Sequence, residues 1–256
     1  MQSAIVYVGA QGTKLNVEAG VFERGEARSL GGCISVIGST EATFTGSTIE
    51  SCIATENGGI FVQNSDKQLT FDGCAMKKGT TIAGYGGAGY VGSGKAVVVH
   101  STVSDSEAQA AEGGCFSIRG GTLVVNDTTV HNCKVPNTAS AAYGNGGCVA
   151  IAAGKLDVID STLSSCRGKT GAALNNAEGI TSLYNTTIVD ALGLAGHEDD
   201  GIYLGKDATF KASLLTIQPS CAGLNPFFAA AAGSSSVFSA LRGLAVILPV
   251  GESCAW

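Results

Sequence analysis

Four residues at matching places in successive stretches of the chain carry groups suited to proton transfer or metal binding: His100, Asp127, Asp160 and Asn185. Each follows an apolar residue, Val98, Val125, Val158 or Leu183, by two positions. Two carboxylates held side by side can act as acid and base, or present the hard oxygens that calcium prefers. Asp127 and Asp160 are therefore the candidate catalytic pair, with His100 assisting. The competing explanation is plainer: Asp and Asn are favoured at turns because their side chains bond to nearby backbone.

Sulfur is the second candidate chemistry. Seven of the nine cysteines fall into repeated positions: Cys33, Cys115 and Cys148 after a glycine pair, Cys52, Cys133 and Cys166 some distance later, and Cys74 apart from both groups. The expectation is a ladder of buried thiols packing as small apolar groups. Bridges between neighbouring copies, Cys115 to Cys148 or Cys133 to Cys166, would need side-by-side Cβ vectors to turn toward one another. Cys221 and Cys254 lie outside the ladder and form the expected disulfide. Without a Cys-x-x-Cys pair or a histidine cluster, no metal site is expected.

These positions recur because the chain repeats. GGCFSIRGGTLVVNDTTVHNC at 113–133 and GGCVAIAAGKLDVIDSTLSSC at 146–166 match at ten of 21 places, and weaker copies start at Gly31, Gly58, Gly86 and Gly171. Aligned, the copies give an apolar column of Phe22, Ile49, Met76, Val103, Val130, Leu163, Ile188 and Leu215. A second column is Val17, Phe44, Phe71, Val98, Val125, Val158, Leu183 and Phe210, and a third lies two residues before it. The i, i+2 relation is that of a strand with one buried face. Three short strands recurring every 27 residues or so describe an all-β, three-faced parallel β-helix of about eight coils over residues 1–221. Residues 222–256 carry no repeat and read as an irregular C-terminal cap, with 227–232 and 237–244 as helical segments.

Long insertions at 134–145 and 192–200 each precede the glycine that opens the next copy, which places them on one edge. Tyr143 in the first, with His197 and Glu198 in the second, are the candidate ligand-binding residues, a ring and polar groups suited to sugars. Thr48, Thr102, Thr129, Thr162 and Thr187 form a further column, broken by Ala75. A flat Thr ladder can bind ice, but the next column (Glu50, Lys77, Ser104, His131, Ser164, Val189) is mixed, so outward β-branched residues on a pleat explain it better. Two sequons, Asn126-Asp127-Thr128 and Asn185-Thr186-Thr187, recur with the repeat.

The net charge is −6 and the 15 basic residues form no run, which argues against a nucleic-acid partner. The N-terminus lacks the basic start and apolar core of a signal peptide. No apolar run reaches the length of a membrane span, so no transmembrane segment is expected.

The glycine pair, the strand after it and the later apolar residue resemble the repeats of right-handed β-helix proteins, most closely the polymorphic outer-membrane protein and adhesin-type repeats, GGA(I/V) followed by FxxN. The likeness spans residues 31–217. The second half departs from that motif, with Ser47, Cys74, Thr128 and Ser161 where it has Asn. The resemblance implies a right-handed, pectate-lyase-like solenoid in an extracellular or cell-surface setting. Pectin-degrading enzymes of that fold assemble carboxylates from neighbouring coils, but no Arg or Lys flanks Asp127 and Asp160 as lyases require. The reading is therefore a noncatalytic module for adhesion, scaffolding or carbohydrate binding, without cofactor, whose partner is a polysaccharide or another protein surface. The alternative is a polysaccharide lyase or glycoside hydrolase, with calcium as its cofactor, and ice binding comes third.

Overall fold

A computed structural model describes residues 4–136, 145–193, 201–218, 228–230, 237–242 and 245–246. Among the described residues every regular element is a strand, and every strand pairing is parallel. One coil shows the plan. Phe116–Ile118 lies on a first face, Thr122–Asn126 on a second and Thr129–His131 on a third, and Lys134 bridges the fourth corner. The next coil repeats it with Val149–Ile151, Lys155–Ile159, Thr162–Ser164 and Arg167–Gly168. About seven turns close in this way, against the expected eight. The eighth, Ile202–Leu204 and Thr209–Gln218, runs into residues outside the described set.

The parallel register fixes what stacks on what. Val98, Val125, Val158 and Leu183 are consecutive partners, as are Val103, Val130, Leu163 and Ile188, and all are buried in one continuous core. Large rings meet directly: Phe44 stacks on Phe71 of the next coil at 5.3 Å, and Phe61 lies 4.9 Å from Phe71 within one coil. At the eighth coil the expected alignment is two residues out. Leu183 pairs with Ala212 and Thr181 with Phe210, while Ile188 pairs with Ile217, not Leu215. Thr181 above Phe210 and Leu183 above Ala212 exchange large for small between two columns, so a match on side-chain size alone picks the wrong partner.

The glycine pair serves two needs. The first glycine, as in Gly113 with φ 74°, occupies a left-handed backbone that a Cβ disfavours. The second packs directly on the next coil: a Cβ on Gly114 would stand 2.2 Å from the carbonyl oxygen of Gly147.

The Ser/Thr position that departs from the Asn motif proves to be an interior hydroxyl ladder. The backbone N–H of Ser101 donates to Thr128 Oγ1 (3.2 Å) and that of Thr128 to Ser161 Oγ (3.1 Å). Each hydroxyl in turn donates to a carbonyl two residues back, Thr128 to Asn126 and Ser161 to Ile159. A short side chain that both accepts and donates thus satisfies a buried bend where the strand ladder is interrupted. Beyond residue 221 the expected helices are replaced by strands, Phe228–Ala230, Val237–Arg242 and Ala245–Val246, which pair with the coil before them. The ladder's appetite for partners overrides the helical propensity of an alanine-rich run.

Thr128→Val keeps the shape of the side chain and leaves the Ser101 N–H unpaired. It is expected to lower stability by about 1–3 kcal/mol in denaturant unfolding, with far-UV circular dichroism unchanged.

Candidate functional site

The second face ends at a corner whose residue has positive φ in every coil: Ala19 (48°), Gly46 (57°), Gly73 (63°), His100 (48°), Asp127 (43°), Asp160 (47°), Asn185 (44°) and Leu214 (55°). Only Gly, and to a lesser degree Asn, Asp and His, enter this left-handed region readily. The four residues first singled out for chemistry are thus the four that the corner's backbone would select. They stand side by side along the solenoid axis, with His100 and Asp127 side chains 58% and 69% exposed.

Their polar atoms do meet. His100 Nδ1 lies 2.9 Å from Asp72 Oδ1, where the ring nitrogen donates to the carboxylate, and Nε2 lies 3.8 Å from Asp127 Oδ2. One coil further on, Asn185 Nδ2 donates to Asp160 Oδ1 at 2.7 Å. Asp72 is absent from the sequence column because it sits one residue before its corner, paired with Val99. The hydrogen bond to Asp72 holds the His100 pKa above the usual imidazole range. Its slight desolvation opposes this, and the charges of Asp72 and Asp127 reinforce it.

The cysteines correct the thiol-ladder expectation. Cys33 is joined to Cys52, Cys115 to Cys133 and Cys148 to Cys166, each bridge spanning the interior of a single coil. The two cysteine columns face each other across the section with Cα atoms 5.2–5.5 Å apart, within disulfide reach. The signal lay in co-occurrence. Coils with Cys in one column have it in the other, whereas Ile60 is matched by Gly79, Ala88 by Ser106 and Ala173 by Ala191. Cys74 remains a buried free thiol with its pKa raised by desolvation.

A polar cluster absent from the sequence reading lies beside the glycine pairs. The Arg119 guanidinium sits 3.6 Å above the Tyr85 ring, and its Nη2 donates to Glu112 at 3.1 Å. Asn145 Nδ2 donates to the other oxygen of Glu112 at 3.0 Å. This ties the corner loops of two successive coils, which carry Tyr85 and Glu112, to the end of the first long insertion. Its four residues come from three coils and from positions that no column shares, so no column announces it.

Tyr143, His197, Glu198, Cys221 and Cys254 lie outside the described residues. The Thr column exists as a stack, with Thr216 as a further rung opposite Thr187. Thr128 of the first sequon is buried. Among the described residues no group of three or more His, Cys, Asp or Glu side chains could hold a metal ion, and no helix is long and apolar enough to cross a membrane.

Against known proteins, residues 32–214 match the family model described as the right-handed beta helix region. No curated protein and no solved structure matches.

The His100 geometry sets a pH dependence. A folded pKa above the unfolded value means that this contribution to stability is fully present below the unfolded pKa, about 6.5, and is lost as pH rises through the folded value. An NMR titration should place His100 above that unfolded value, and Asp72→Asn should bring it down.

Proposed function

Residues 32–214 make the chain a member of the right-handed β-helix family, and on that premise we propose a noncatalytic module that works outside the cell or at its surface, binding carbohydrate along the outside of a rigid solenoid. The observation that carries this reading is the corner column. Asp127 and Asp160 stand next to each other on an outward corner, each at positive φ. Glycoside hydrolysis instead needs two carboxyl groups flanking the scissile bond. His100 is engaged with Asp72, and Asp160 with Asn185, so these groups already serve structural bonds.

The three disulfides support the extracellular setting. Such bridges persist in oxidising compartments and are rare where glutathione keeps thiols reduced. A stiff stack of coils with hydrogen-bonding side chains along its corners suits adhesion or scaffolding, since its surface is ordered before a partner arrives and little entropy is lost on contact. Polysaccharide is favoured over a protein partner because the outward corner column presents imidazole, carboxylate and amide groups, at His100, Asp127, Asp160 and Asn185.

The test incubates the chain with neutral and acidic polysaccharides, with and without calcium, alongside the Asp127→Asn/Asp160→Asn double variant. A polysaccharide retained by the parent and left unshortened by parent and double variant alike is the expected result. Cleavage by the parent that the double variant loses would establish a lyase or hydrolase instead.

A further inference from the structure

Toward the C-terminal end of the second face three large apolar side chains are exposed: Ile180 (44%), Tyr184 (50%) and Leu214 (47%). Two of them depart from what their columns select. Leu214 holds the left-handed corner with φ 55°, where the preceding coils place Ala19, Gly46, Gly73, His100, Asp127, Asp160 and Asn185, none of them a large apolar side chain. A leucine there relieves no backbone strain and, being exposed, adds nothing to the core, so neither backbone geometry nor packing selects it. Tyr184 occupies an outward strand position whose counterparts are Asp72, Val99, Asn126 and Ile159 below and Ser213 above. Ser213 is too short to cover an aromatic ring.

Beside the ring stands the one directly hydrogen-bonded carboxylate–amide pair of this corner among the described residues, Asp160 and Asn185 at 2.7 Å. That bond uses one carboxylate oxygen and one amide hydrogen, and the remaining acceptors and donor are those that pair with vicinal hydroxyls. Thr187 and Thr216 stack just past the corner and add two hydroxyls. Lys155 is paired with Asp157 at 2.7 Å, and Asp160 itself sets a carboxylate in this corner, which repels the carboxylates of an anionic polymer.

We propose that Tyr184, Leu214, Asp160 and Asn185 form a binding site for neutral hexose polysaccharide, with a sugar ring stacked on Tyr184 and flanked by Leu214, and its hydroxyls bonded to the Asp160–Asn185 pair. An exposed ring with a polar rim is the arrangement that covers the apolar face of a sugar while satisfying its edges. The site rests on the carbohydrate-binding reading above and adds its place and ligand class.

The experiment titrates the full chain, by calorimetry, with β-linked gluco- and manno-hexasaccharides and with oligogalacturonate in the presence and absence of calcium. Variants are Tyr184→Ala, Tyr184→Phe and Leu214→Asn. The parent should bind a neutral hexasaccharide. Tyr184→Ala should weaken it at least tenfold with an unchanged melting temperature, and Tyr184→Phe should retain it. Leu214→Asn, which suits a left-handed corner, should melt no lower than the parent yet bind more weakly. A parent that binds while Tyr184→Ala and Leu214→Asn bind equally well overturns the site and leaves the general reading standing. Preference for oligogalacturonate overturns the ligand class, and a parent that binds none of the sugars overturns the carbohydrate reading along with the site.

Discussion

Everything in this molecule depends on the parallel hydrogen-bond register between consecutive coils. Each strand gives its N–H and C=O groups to the coils on either side, so a residue is held directly over its counterpart, and an unpaired buried amide would cost about 1–3 kcal/mol. Side chains therefore form columns whether or not a column is useful. Large rings in adjacent coils meet, as Phe44 and Phe71 do. Any place where the chain must turn turns in every coil alike.

The corners carry the greatest cost of this plan, and the sequence answers each by a different device. At the end of the second face a left-handed residue turns the chain, and the hydroxyls of Ser101, Thr128 and Ser161 receive the amides that the turn releases. At the end of the third face Cys52, Cys133 and Cys166 occupy the equivalent interior place and reach across the section to the residue after the glycine pair. Closing loops of 18 or 19 residues, each bridge restricts the unfolded chain by about 3 kcal/mol on the loop-entropy account. The bridges brace single coils, and stacking braces coils to one another.

What the sequence made legible was whatever the register repeats. The period, the inward columns and the stacking of His100, Asp127, Asp160 and Asn185 followed from spacing alone. The cysteines were misjudged because their columns were compared along the axis, when the partner lay across the same coil. Phe210 was misplaced because a large-for-small exchange with Thr181 hides a two-residue shift. Asp72 and the Tyr85–Arg119–Glu112 cluster were illegible for a different reason. They depend on distances between positions that no column shares, as does the pairing of an exposed Tyr184 with its polar neighbours.

The coil-by-coil register is tested most directly by mapping the disulfides of the unreduced chain, alkylated under denaturing conditions, digested and identified by mass spectrometry. The account predicts the pairs Cys33–Cys52, Cys115–Cys133 and Cys148–Cys166, with Cys74 alkylated. Cys115 found joined to Cys148, or Cys133 to Cys166, would contradict it.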